Sequence, residues 1–161
     1  MTVQTSYSID HGRAYAGMTD DQQVANFTSA LNTGSATIPY GKGVVTSGVG
    51  ADLPTGSSTA AQFMGVNRRV LDRAYQDGDT FGAPVDRDMT LQTMGTIWVV
   101  AAEDGITKDD PAFLRIGSTN TGDFANDAGT GVTASVAIPN AKFLTAGDEG
   151  DLVLLSLTVG G

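Results

Sequence analysis

The chain has 161 residues, a length that suits one domain. Nine basic against eighteen acidic side chains leave a net charge of -9, which excludes the basic stripe that nucleic acid requires and opposes adhesion to anionic lipid. With no cysteine and a single histidine, His11, disulfides, thiolate catalysis, cysteine zinc sites and iron–sulfur clusters are excluded.

No apolar run approaches the roughly 20 residues that cross a bilayer, and residues 1–5 lack the charged start and apolar stretch of a signal peptide. A soluble chain made in the cytoplasm is expected. The acids are sixteen Asp and two Glu, alongside twenty Thr and twenty-one Gly. Asp, Thr and Gly make poor helix interiors, whereas Thr suits strands and Gly and Asp suit the turns between them. A mainly β chain with many loops follows.

Residues 1–22 carry few apolar side chains, among them Tyr7, Ile9 and Tyr15, and show no sustained period. Such a segment reads as an N-terminal arm that needs a host surface, ahead of one β domain over residues 23–161. Thr19-Asp20-Asp21-Gln22 resembles a capping box, and Val24, Phe27 and Leu31 follow at helical spacing. The spacing predicts a short helix over residues 20–32, with irregular strand as the alternative.

Turn punctuation then takes over. Ile38-Pro39-Tyr40-Gly41 leads into a strand over 42–49, and a polar loop runs from Gly48 to Ser58. A strand over 63–71 places Met64, Val66 and Val70 on one face. Asp77-Gly78-Asp79 reads as a tight turn. Strands over 89–94 and 96–101 meet at Gly95, a turn or bulge. Thr107–Pro111 turns into a strand over 112–116, and 117–131 reads as a long surface excursion. Strands over 132–138 and 142–145 are separated at Pro139-Asn140. The last strand, 151–159, is the clearest, with Val153, Leu155, Leu157 and Val159 on one face. Short strands without intervening helices predict a compact barrel or sandwich with little helix.

Catalytic signatures are lacking. His11 sits in the arm, with no nucleophile-elbow motif to serve. The pairs Asp77/Asp79, Asp86/Asp88 and Asp109/Asp110 lack the ligand spacing and closing Glu of a calcium loop. Gly48-Val49-Gly50 lacks the third glycine of a dinucleotide loop. Asn26-Phe27-Thr28 matches a glycosylation sequon that has no secretion signal behind it. No enzyme, cofactor or metal is expected. Paired aspartates in a small β-barrel enzyme are the rival that Asp→Asn changes would expose.

Arg68-Arg69 could grip phosphate, but in so acidic a chain they are expected to pair with acids in this molecule or a neighbour. Trp98 lies on an apolar strand, in the core or at a subunit interface. The charge is also uneven: residues 1–80 carry -2 and residues 81–161 carry -7. If the fold separates the halves, the nearly neutral side with the arm is the better docking face.

The order of short motifs resembles the structural cement or capsid decoration proteins of tailed bacteriophages. The matching pieces are Ile38-Pro39-Tyr40-Gly41, Phe63-Met64-Gly65-Val66, Tyr75 before an acidic turn, and Gly95-Thr96-Ile97-Trp98-Val99. Lys108-Asp109-Asp110-Pro111, Gly122-Asp123-Phe124 and Ile138-Pro139-Asn140-Ala141-Lys142-Phe143 continue the series. One departure is Asp109-Asp110, where a Gly-Asp type turn is expected. The resemblance implies a structural virion protein that binds the outer surface of the head and stabilises the capsid. Its implied partners are the major capsid protein and itself, as a homotrimer, with no nucleic acid and no membrane. Tyr7, Ile9, Tyr15, Arg68, Arg69 and Trp98 are the candidate capsid- or subunit-interface residues. A head-surface receptor- or glycan-binding protein, using the 117–131 loop, is the alternative.

Overall fold

The computed structural model describes residues 14–20, 24–70 and 79–158. Among them are β1 (Asn26–Leu31), β2 (Ile38–Pro39), β3 (Gly43–Ser47), β4 (Gly50–Asp52), β5 (Phe63–Asn67) and β6 (Gly82–Ala83). The series continues with β7 (Asp88–Val100), β8 (Pro111–Arg115), β9 (Phe124–Ala125), β10 (Ser135–Phe143) and β11 (Leu152–Thr158). One sheet runs β4-β3-β5-β7-β11-β10-β8-β9, with β1 also on β7, while β2 and β6 form a separate two-stranded ribbon. The sheet curls into a half-barrel, so the mainly β expectation holds.

The inner face holds the core. Val153, Leu155 and Leu157 of β11 are at most 1% exposed and alternate with Leu152, Leu154 and Ser156 on the other face. They pack with Ile97 and Val99 of β7, Leu114, Phe124 and Phe143. Each such side chain contributes about 1.5–3 kcal/mol by leaving water. A second cluster joins Ile38, Val44, Met89 and Leu91. The sheet closes on itself where Gly43 N donates to Gly122 O at 2.7 Å. There Phe63 meets Phe124 edge to face at 6.3 Å, and Lys42 Nζ lies 2.8 Å from Asp123 Oδ2.

Long β7 is occupied on both edges. Gln92 pairs with Val66 of β5 and with Phe27 of β1, and Trp98 pairs with Leu154 of β11. Opposite β11 lie residues 17–20 of the expected arm, with Gly17 N donating to Trp98 O at 2.7 Å, Trp98 N to Met18 O at 2.9 Å and Asp20 N to Thr96 O at 3.1 Å. At the bend of β7, Gly95 has φ +101°, and a methyl there would sit 2.7 Å from Val24 O. The fully buried Gln92 spans this bend, donating Nε2 to Met94 O (3.2 Å) and Thr96 O (3.0 Å). Its Oε1 accepts from the Thr19 hydroxyl at 2.8 Å.

Several local expectations are corrected. The 20–32 helix is instead strand β1: capping and spacing are outweighed by the ladder that β7 offers over Asp88–Met94. Gly95 lies inside one strand at φ +101° with unbroken pairing to β11, so the two expected strands are continuous, and the register shift falls nearby, between Asn26 and Phe27 of β1. The strand from Phe63 stops at Asn67, and a register shift around Met64 turns both Phe63 and Val66 inward. Asn67, wholly buried, donates to Ile38 O and Pro39 O at 2.9 and 3.2 Å. The 117–131 excursion includes β9, whose Phe124 and Ala125 are fully buried. Pro139-Asn140 is an irregularity within continuous β10, with Asn140 at φ +59°. Asp109 adopts φ +74°, the conformation a glycine would supply, so the departure noted at that turn keeps its backbone shape. The Asp77-Gly78-Asp79 turn falls largely outside the described residues.

Gly95→Ala is expected to lower stability by about 2 kcal/mol or more, because a side chain at positive φ is strained and this one also meets Val24 O. Gly56→Ala, where an added methyl meets nothing within 4 Å, is expected to be near neutral. Urea denaturation of the two variants measures the difference.

Candidate functional site

Two of the candidate residues, Tyr7 and Ile9, lie outside the described residues, as does His11. Three others, Tyr15, Arg68 and Arg69, take part in two neighbouring arginine–aromatic stacks. The Arg69 guanidinium carbon stands 4.4 Å from the Tyr15 ring centroid and 5.7 Å from that of Phe81. Arg68 stands 4.6 Å over the Phe27 ring, and its Nε donates to Thr19 Oγ1 at 3.2 Å. Thr19 is the same residue that donates to Gln92, so Arg68 is tied to the bend of β7. The close approach of Gly17 makes the arrangement possible: Arg69 N donates to Gly17 O at 2.7 Å. A methyl on Gly17 would lie 2.8 Å from that nitrogen, and its φ is +79°.

The three rings are exposed, Tyr15 at 54%, Phe27 at 44% and Phe81 at 51%. Exposed aromatics stacked on arginines have the composition of interface hot spots. Phe27 and Phe81 were missed in the sequence. Phe27 falls within the expected helix, where its spacing with Val24 and Leu31 places it on the apolar face, whereas β1 leaves the ring exposed. Phe81 has no local signal, since Arg69 reaches it only through the fold.

Trp98 is half-buried on the opposite side of β7 from Ile97 and Val99, across from Leu154. None of the described arginines stacks on it, so it is not part of the Tyr15–Arg69 cluster. Its backbone instead holds residues 17 and 18 in place.

Ion pairs among the described residues join Lys42 to Asp123, Arg115 to Glu103 and Lys142 to Asp109. The expectation that Arg68 and Arg69 pair with acids is therefore not met within the described part of this chain. Arg115 is a buried structural cation, 2% exposed. Glu103 accepts from it at 2.9 Å, Ala102 O at 3.3 Å and Thr133 O also accept, and Glu103 in turn caps Asn126 N at 2.6 Å. No group of three or more His, Asp or Glu among the described residues could hold a metal ion. The two sequence halves do not form separate surfaces, because β1 and β5 of the first pair with β7 of the second. The charge asymmetry is local instead. Asp104, Asp148, Glu149 and Asp151 form an exposed rim where the β7–β8 and β10–β11 connections meet, with Glu149 N donating to Asp104 Oδ1 and Gly105 N to Asp148 Oδ1, each at 3.0 Å.

Residues 3–158 match the family described as Structural cement protein (E217 gp24/Pam3 gp6), and the chain belongs to that family. A chain in the solved structure "The capsid of Myoviridae Phage XM1" shares the fold, with a TM-score of 0.74, 17% identity and 98% of each chain covered. No curated protein matches the sequence. The protein is thus a structural component of a phage particle, associated with its capsid, in a family that is not an enzyme class.

Burial raises the pKa of Asp123, with Lys42 opposing the rise. The folded state then holds this proton more tightly than the unfolded chain does. The stability this contributes is full below the ordinary carboxylate value and is lost as pH climbs through the raised one. Asp123→Asn is therefore expected to gain stability relative to the parent as pH rises from about 4 to about 7. Melting temperatures of the pair across that range test it, and a constant difference would contradict it.

Proposed function

We propose that the protein binds the outer surface of the assembled phage head and stabilises the shell, as a homotrimer whose partner is the major capsid protein. Membership of the structural cement family over residues 3–158 is the observation that carries this reading. The exposed rings of Tyr15, Phe27 and Phe81, stiffened by Arg68 and Arg69, support a role in contact with protein surfaces.

A folded β unit with an arm suits this task physically. The half-barrel supplies a rigid body, and an N-terminal segment can lie along a neighbour while residues 14–20 stay laddered to β7. Each contact can be weak, because an oligomer engages several lattice sites at once and its avidity exceeds the affinity of one site. The apolar side chains Tyr7, Ile9 and Tyr15 act as the arm's anchors, Tyr15 being already set against Arg69. The protein is made in the host cytoplasm and reaches the head from outside.

Purified protein mixed with expanded, undecorated heads of its own phage is expected to pellet with them at saturating stoichiometry. It is expected to raise the temperature at which they release DNA. Alanine at Tyr7, Ile9 and Tyr15 together is expected to weaken head binding by about tenfold or more, about 1.4 kcal/mol per tenfold. Unchanged binding of that variant would refute the anchoring role of the arm, and parent protein left in the supernatant would refute the cement reading itself.

A further inference from the structure

We infer that the stacked surface of Tyr15, Phe27, Phe81, Arg68 and Arg69 docks a second copy of this chain. The face it meets there is the carboxylate rim of Asp104, Asp148, Glu149 and Asp151. This rests on the cement reading for the expectation that several copies meet on one head.

Charge complementarity is the first support. The molecule carries a net charge of -9, yet here two sequence-adjacent arginines each stack on an exposed ring and neither is paired with a carboxylate of the described residues. Stacking holds the Arg68 and Arg69 guanidinium carbons 4.6 and 4.4 Å from a ring centroid, and Arg68 commits its Nε to Thr19. A guanidinium edge is matched by a carboxylate, two N–H groups to two oxygens. Because the stacks hold these side chains before any partner arrives, less rotamer freedom is lost on docking.

The rim is the complementary half. Its four exposed acids have no cation within ion-pair distance among the described residues. They are also held in place: Asp148 N donates to Asp151 Oδ2 at 3.0 Å, and Asn120 Nδ2 to Glu149 Oε1 at 2.7 Å. The rim therefore presents several exposed negative charges on one edge, which arginines from another copy would match.

Topology then sets the kind of contact. Arg68 continues β5 beside the N-terminal half of β7, with its N on Thr90 O at 2.8 Å, whereas the rim begins beyond the C-terminal end of β7. The two surfaces belong to different parts of one protomer. Copies therefore join head to tail, and such heterologous contacts close into rings when the rotation permits. A two-fold contact of the stacked surface with itself would set arginine against arginine.

Charge reversal with rescue tests this, using the full chain both free in solution and bound to expanded heads, with association read by light scattering and by cross-linking. Arg68→Glu with Arg69→Glu, and separately Asp104→Arg with Glu149→Arg, are each expected to weaken self-association by about tenfold or more. All four changes in one chain are expected to restore it. The rim changes fall on exposed side chains, and melting curves of every variant establish that it is folded. Parent protein that stays monomeric in both settings would overturn the inference, as would reversals without effect. Reversals that reduce head binding, with no rescue by the fourfold variant, would also overturn it and assign the surface to the capsid protein. Oligomers that form as expected but never bind heads would leave this inference standing and remove the cement reading.

Discussion

The side-chain amide of Gln92 ties together the two halves of β7 across the bend at Gly95, which has φ +101°. Its Nε2 donates to the carbonyls of Met94 and Thr96, and its Oε1 takes the hydroxyl of Thr19. Everything on either edge of β7 depends on that bend. On one half the strand accepts β1 and β5, and on the other it accepts β11 and residues 17–20. A buried polar network of this kind is favourable only when complete, since an unmatched carbonyl inside the fold costs the full loss of its water. The same network reaches the surface through Thr19 and Arg68. The geometry of the exposed aromatic–arginine cluster is therefore set by the interior of the sheet.

The second structural tie closes the curl. Lys42 and Asp123, Gly43 and Gly122, and Phe63 and Phe124 bring β9 back against the start of β3. The 117–131 region thereby acquires a buried anchor in its middle and is not a free loop. A half-barrel closed in this way presents well-separated surfaces at fixed relative orientation. That is what a protein needs if it is to touch one neighbour with one face and another with a second.

The strands with simple alternation were legible in the sequence. β11 is nearly as read, because Val153, Leu155 and Leu157 alternate without interruption. β8 follows its turn as expected, even though Asp109 stands where glycine is commoner. The readings that failed share a cause. At Gly95, at Met64-Gly65 and at Asn140, one irregular residue interrupts the period without ending the strand, so a local pattern cannot tell a bulge from a turn. β1 failed for another reason: its strand character comes from pairing with β7, and its own side chains have helical spacing. The site was half legible. Tyr15, Arg68 and Arg69 stood out by type, but their convergence with Phe27 and Phe81 depends on long-range pairing that spacing does not encode. The family resemblance, by contrast, rested on the order of many weak motifs, and the match over residues 3–158 bears it out.

The central claim is that this protein decorates the outside of its phage's head. Cryo-electron microscopy of expanded heads incubated with the purified chain tests it most directly. The account predicts ordered density for the half-barrel on the outer surface at fixed lattice positions, with residues 1–13 lying along a neighbouring chain while residues 14–20 keep their place on β7. Bare outer surfaces at saturating protein, or density confined to the interior of the shell, would contradict it.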